Sequence, residues 1–223
     1  MNRAKQTAIL RISQFSLYRE DRLLLDNFFL EVYSQERFVI EGSIGIGKST
    51  FLHSLMGFYP FSGQVIYYGK PCLTDKDFAT IRGNKVGLLF QQCSDQLFGP
   101  TAKEDVAFGL INMGVDKEQA LERAQQQLQL LGIKHLKDRT IFQLSGGEKT
   151  LVALAGVLIM EPDLLLLDEP TNNLDTANQE YLMAILNDLN KAMIIVTHDQ
   201  SLSDKLHAQT IYLNAQKTPS YRM

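Results

Sequence analysis

The chain has 223 residues, 45 % of them hydrophobic and 21 % charged, with a formal net charge of −3, which gives room for one α/β domain with a full core. The acidic balance, with an isoelectric point near 5.8, excludes the basic footprint of a nucleic-acid binder, so no nucleic acid is expected as a partner. The longest apolar run, 151–160, stops at Glu161-Pro162-Asp163, short of the roughly 20 residues that cross a bilayer. Cys72 and Cys93 form no C-x-x-C pair and read as buried thiols in a reducing compartment. Arg11 interrupts the only N-terminal stretch that could resemble a secretory leader. The chain is therefore expected in the cytosol, reaching a membrane only by docking on a partner.

Taken in order, residues 9–17 and 23–33 read as strands with partial alternation. Residues 37–42 form the next strand, 49–57 a helix closed by Gly57, 64–68 a strand between Gly63 and Gly69, and 86–90 an apolar strand before Gln91-Gln92. Thr101-x-x-Glu104 is a capping box that opens a helix through Met113. Asp116 caps the next helix, with Leu121, Ala124, Leu128 and Leu131 on one face and Gly132 at its end. Ser145-x-x-Glu148 caps a third helix through Met160. Strands return at 163–168, 193–197 and 210–213, with a helix between Thr176 and Asn190. The unbroken run Leu164-Leu165-Leu166-Leu167 fits a strand buried on both faces of a parallel sheet. The pattern predicts an α/β core at 1–91 and 161–223 with a helical insertion at about 92–160, and no internal repeat or linker.

Gly42-Ser43-Ile44-Gly45-Ile46-Gly47-Lys48-Ser49 fits G-x-x-x-x-G-K-[ST] and lies between a predicted strand and a predicted helix. That is the context of a phosphate-binding loop for a nucleoside triphosphate. Glycines free the backbone so that successive N–H groups can turn towards a phosphate. Lys48 would reach the β- and γ-phosphates, and Ser49 would offer its hydroxyl to Mg²⁺. The run 164–167 ends in Asp168-Glu169-Pro170, and carboxylates at the C-terminal edge of a parallel strand sit where ligands bind. Asp168 would help to hold Mg²⁺, and Glu169 would orient or deprotonate an attacking water. Leu144-Ser145-Gly146-Gly147-Glu148 is a capping box, but two glycines in a first helical turn cost about 1 kcal/mol each against alanine. Bare backbone there suits a second phosphate contact, with Ser145 accepting its cap and donating to the phosphate. One nucleotide does not need two such cradles from one chain, whereas a site shared by two copies would use both.

Leu144 to Glu148 resembles the signature of the ATP-binding-cassette (ABC) ATPases. The order of phosphate loop, Gln91, signature, Asp168-Glu169, Asn173-Leu174-Asp175 and His198 resembles that family along nearly the whole chain. The resemblance implies a single P-loop NTPase domain over 1–223, with a mostly parallel sheet, an N-terminal antiparallel β subdomain and a helical signature subdomain. It implies head-to-tail dimers in which ATP lies between one subunit's loop, 42–50 with Thr50 included, and the other's Ser145, Gly146 and Gly147. It further implies that Gln91 senses Mg²⁺ and water, that His198 contacts the γ-phosphate and that Asp175 crosses the dimer interface. Tyr18 is similar to the aromatic residue that stacks on adenine, with Phe15 as the competing candidate.

The segment Phe90 to Thr101, followed by Glu104-Asp105-Val106-Ala107-Phe108-Gly109, resembles the energy-coupling-factor importers of vitamins or of ions such as cobalt and nickel. That resemblance implies an integral membrane transporter subunit docked at this segment, a substrate-binding membrane protein, and a peripheral location on the cytoplasmic face. A soluble single-cassette ABC ATPase acting in protein-complex assembly is the alternative, and a non-enzymatic nucleotide-gated adaptor a third reading that Asp168, Glu169 and His198 oppose. Ile44 and Ile46 replace polar residues common in the family's loop, Leu151 stands where an arginine is frequent, and Asn172-Asn173 replaces the usual small pair.

Overall fold

The computed structural model describes residues 7–172 and 174–213, and the backbone of 220–222. Asn173, one of the motif residues above, lies outside the described residues. The chain divides into two compact units, 1–82 with 163–168 and 190–223, and 83–162 with 169–189.

The first unit holds two sheets. β1 (Leu10–Arg19), β2 (Arg22–Val32), β4 (Ser62–Tyr67) and β5 (Lys70–Pro71) form an antiparallel sheet in the order β2-β1-β4-β5. β3 (Arg37–Glu41), β7 (Leu164–Asp168), β8 (Ala192–Thr197) and β9 (Gln209–Tyr212) run parallel, with β3 between β8 and β9 and β7 on the far side of β8. β10 (Ser220–Arg222) adds antiparallel to β9. The α/β fold with a mostly parallel sheet and an N-terminal antiparallel sheet is thus the one expected. Leu164 to Leu167 and Ile194 to Val196 have no exposed surface, the burial that their unbroken apolar runs predict.

Helix α1 (Lys48–Ser54) follows β3 and packs on β7 and β8. Phe51 on this helix meets Phe15 of β1 edge-on at 5.6 Å and Phe28 of β2 at 5.3 Å. An aromatic cluster therefore fixes α1 between the two sheets. The short helix α2 (Asp75–Ala79) was not anticipated from the sequence, although Thr74 and Asp77 form a complete capping box. Helix α7 (Leu202–Lys205) joins β8 to β9.

The second unit contains β6 (Val86–Leu89), α3 (Ala102–Asn112), α4 (Lys117–Leu130), α5 (Gly146–Leu158) and α6 (Thr176–Asp188). Its helices begin where the caps predict: Thr101, Asp116 and Ser145 each accept a backbone N–H from the first turn. Helix α4 buries Ala120, Ala124 and Leu128, while Leu121 is only half-buried. Three of the four residues expected on the inward face, Ala124, Leu128 and Leu131, are buried, and Ala120 rather than Leu121 completes it. Leu151, which the family resemblance would lead one to expect as an arginine, is buried in α5.

Phe15 is fully buried between Phe51 and the Phe61 ring stacked on it at 5.0 Å. Phe15→Ala is expected to cost about 3–5 kcal/mol of stability, read as a lower urea midpoint at unchanged slope.

Candidate functional site

The phosphate loop leaves β3 at Glu41, which is buried. A side chain at Gly42 would put its Cβ 2.8 Å from the Leu213 carbonyl oxygen, so β9's end needs bare backbone there. Gly45 and Gly47 have φ of +79° and +109°, and Gly47 caps α1 in the left-handed region. A Cβ on Gly47 would also sit 2.9 Å from Leu24 Cδ1. Glycine is therefore required at Gly47 twice, by backbone and by space. Lys48 Nζ donates to the carbonyls of Gly42 at 2.8 Å and Ser43 at 3.3 Å, curling back over the loop. The Ile46 N–H bonds the Ser43 carbonyl at 3.3 Å. Ile44 is 86 % exposed, so that replacement disturbs no packing, whereas Ile46 is half-buried. Thr50 is buried in the first turn of α1.

Asp168 ends β7 with 1 % exposure. Its Oδ1 accepts the Ser49 hydroxyl at 2.9 Å, and its Oδ2 lies 3.5 Å from His53 Nε2. Burial holds the His53 imidazole below its usual pKa, since a low dielectric disfavours the cation. A hydroxyl beside a carboxylate is a hard oxygen pair of the kind Mg²⁺ takes, together with substrate phosphates. Among the described residues no group of three or more His, Cys, Asp or Glu gathers to hold a metal. The donors here fit an ion that draws the rest of its shell from a nucleotide and water.

His198, after β8, is exposed and lines a cavity of about 350 Å³ with Glu41, Gly42, Ser43, Ile44 and Tyr212. The histidine is thus brought to the phosphate loop, as its place in the motif order implies. Tyr18 is 51 % exposed and pairs with Leu23 at the tip of the β1–β2 hairpin. The neighbouring Leu24 is the residue against Gly47, so this hairpin tip borders the loop. Phe15 has no exposed surface and cannot stack on a ligand, which leaves Tyr18 of the two aromatic candidates. Leu24 itself was not singled out from sequence, because nothing local marks a contact with Gly47.

The second unit carries the other candidates. Gln91 is exposed just after β6. The loop beyond it is clamped by Gln96, whose Oε1 accepts from the Phe90 N–H and whose Nε2 donates to the Leu88 carbonyl. Glu169 follows Asp168 in the chain, is 7 % exposed and has φ +46°. Left-handed backbone is uncommon in a glutamate and clusters at functional sites.

Ser145 and Gly146 are exposed, whereas Gly147 is buried. Ser145 Oγ accepts from the Glu148 N–H at 3.3 Å, and Glu148 Oε2 accepts from the Ser145 N–H at 2.8 Å. The bond from the Ser145 amide holds the Glu148 carboxyl below its usual pKa, with Arg139 adding to the effect. A Cβ on Gly147 would lie 2.9 Å from Asn178 Nδ2. The expected reason for this glycine, bare backbone for a phosphate, is therefore joined by a packing reason within the chain. Asn178 Nδ2 in turn donates to Asp175, the cap of α6, at 3.0 Å. Gly147 thus lies beside the side chain that Asp175 holds at the start of α6.

Comparison with known proteins adds the family. The profile described as ABC transporter matches residues 25–172. An ABC transporter ATP-binding protein of Haemophilus influenzae is 44 % identical over 206 residues, covering 92 % of this chain and 94 % of that one. The energy-coupling factor transporter ATP-binding protein EcfA of Methanocaldococcus jannaschii is 39 % identical over 200 residues, covering 88 % and 71 %. The structure of cbiO1 from Clostridium perfringens, part of the ABC transporter complex cbiONQ, superposes with a TM-score of 0.85 at 31 % identity, covering 96 % of this chain and 88 % of that one. The dimeric post-hydrolysis structure of the ATP-binding cassette MJ0796 with ADP and Pi gives 0.82 at 27 % identity, covering 95 % and 98 %.

Tyr18→Ala removes a ring at the edge of the loop without opening the core. Loss of base stacking is worth about 1–3 kcal/mol, so ATP binding should weaken about tenfold or more while the thermal midpoint stays put. Fluorescence titration with a labelled nucleotide checks this, and unchanged affinity would remove Tyr18 from the site.

Proposed function

Because the chain belongs to the ABC transporter family and hydrolyses ATP, we propose that it is the ATPase subunit of an importer of the energy-coupling-factor type. In this reading its cargo is a micronutrient such as a cobalt or nickel ion or a vitamin. The likeness to EcfA and to cbiO1 supports the subtype. The observation that carries the catalytic part is the Ser49–Asp168 contact at 2.9 Å beside the Lys48-covered loop.

In this reading 1–223 is one ABC ATPase domain. Loop 42–50 and Lys48 hold the triphosphate and stabilise charge spreading over the γ-phosphoryl oxygens. Ser49 and Asp168 would hold Mg²⁺, which would supply charge neutralisation at the phosphates, and Gln91 would sense the metal and the water. Glu169 orients and deprotonates the water, and His198 steadies the γ-phosphoryl group. The exposed Ser145-Gly146 turn of a second subunit, the same chain or a related ATPase, caps the nucleotide, and Asp175 lies at that interface. The dimeric cassette with ADP and Pi supports this arrangement. Among the described residues no helix is long and apolar enough to cross a membrane. The chain would work as a peripheral subunit on the cytoplasmic face, bound to an integral membrane transporter that carries the substrate-binding protein.

The docking surface would include Phe98 and Phe108, 62 % and 42 % exposed, whose rings meet edge-on at 4.4 Å. Asp105, buried, accepts from the Phe98 and Gly99 N–H groups and so fixes the loop that presents Phe98. Glu104 is unsuited to testing the surface by charge reversal, because it accepts the Thr101 hydroxyl in the cap of α3. Phe98→Ser should keep ATP hydrolysis in the isolated protein and lose copurification with the membrane subunits from detergent extract. Recovery of a soluble protein complex instead would favour the assembly ATPase. Glu169→Gln should bind ATP, lower turnover by at least about 10² and accumulate an ATP-bound dimer in size-exclusion chromatography; wild-type turnover would remove Glu169 from the chemistry.

A further inference from the structure

We propose that His53 is a positioning residue for Asp168, holding the carboxylate so that its other oxygen stays turned to Ser49. This rests on the reading of Asp168 as a holder of Mg²⁺ and extends it to a residue outside the family motifs quoted above. Ser49 and His53 both lie on α1, four residues apart, and such residues share one helix face. That face meets the end of β7. The Ser49 hydroxyl reaches Oδ1 at 2.9 Å, and His53 Nε2 stands 3.5 Å from Oδ2. One turn of helix thus addresses both oxygens of a carboxylate that is 1 % exposed. At 3.5 Å the imidazole acts more by orientation and field than as a strong bond.

The ring itself is held from behind. Tyr59 lies parallel to it at 6.2 Å with an interplanar angle of 4°, and Phe58 meets it edge-on at 6.4 Å. Arg82 sits over the Phe58 ring at 4.8 Å and is itself tied to Asp75 at 2.8 Å and to the Met56 carbonyl at 2.9 Å. His53 therefore has little freedom to swing away from Asp168. Groups that orient a metal-holding carboxylate typically carry about 10–100-fold in metal affinity, and the long contact here places His53 near the lower figure.

The test uses the full chain with ATP and Mn²⁺ as the spectroscopic metal, its free concentration read by electron paramagnetic resonance. His53→Ala should weaken Mn²⁺ binding to the ATP complex about tenfold, with ATP binding in EDTA unchanged. His53→Gln, whose amide N–H can reach the same oxygen, should recover most of the loss. Unchanged Mn²⁺ affinity in His53→Ala, or equal losses in both variants that track a lowered thermal midpoint, would overturn the proposal. Asp168→Asn separates the two layers of the argument. If it leaves Mn²⁺ affinity intact, the metal reading of Asp168 fails. If it abolishes Mn²⁺ binding while His53→Ala does not weaken it, the role of His53 alone fails.

Discussion

The contact between Ser49 and Asp168 at 2.9 Å is the constraint on which the catalytic reading rests. It joins the first turn of α1 to the carboxyl end of β7, so the loop proposed to wrap a triphosphate and the acid proposed to serve its metal share one location. Everything nearby serves to keep that contact in place. β7 is buried on both faces, the Phe15–Phe51–Phe28 cluster pins α1, and Gly47 turns the backbone where a side chain would strike Leu24. A buried carboxylate is costly unless its oxygens are satisfied, and here a hydroxyl and an imidazole from one helix face approach them.

The division of labour between the two units follows from what each can build. The first supplies a rigid parallel sheet whose strand ends present the loop, Asp168 and His198. The second supplies helix starts: Ser145 caps α5, Asp175 caps α6, and Asn178, bonded to Asp175, lies beside Gly147. A signature turn with exposed Ser145 and Gly146 but a packed Gly147 is well made for its proposed task. It offers amides outward while its own position is fixed from within.

Much of this was legible in the sequence because the signals are local. The phosphate loop is a run of glycines between an apolar strand and a helix, and the caps at Thr101, Asp116 and Ser145 show themselves within four residues. The doubly buried strand is written out as Leu164 to Leu167. What was not legible depends on partners far along the chain. His53 looks like an ordinary helix residue until Asp168 is placed beside it, and Leu24 means nothing until Gly47 is folded against it. The packing of Gly147 beside Asn178 shows only in the fold. On α4, Ala124, Leu128 and Leu131 lie inward as their spacing suggests, but Ala120 is buried where hydrophobicity favours Leu121. Phe15 stood as the competitor to Tyr18 until the fold buried Phe15 and left Tyr18 exposed.

In the proposed assembly one ATP is enclosed by the loop of one copy and the signature turn of another. Two single-cysteine proteins, Ser43→Cys and Ser145→Cys, made in a background without Cys72 and Cys93, test it when mixed. Both positions are exposed, and a link between the two variants can form only across two chains. The account predicts a mixed crosslinked dimer that appears with ATP under conditions that block hydrolysis and is absent without nucleotide. Failure to form that dimer with ATP bound, while a chain carrying both cysteines links within itself, would contradict it.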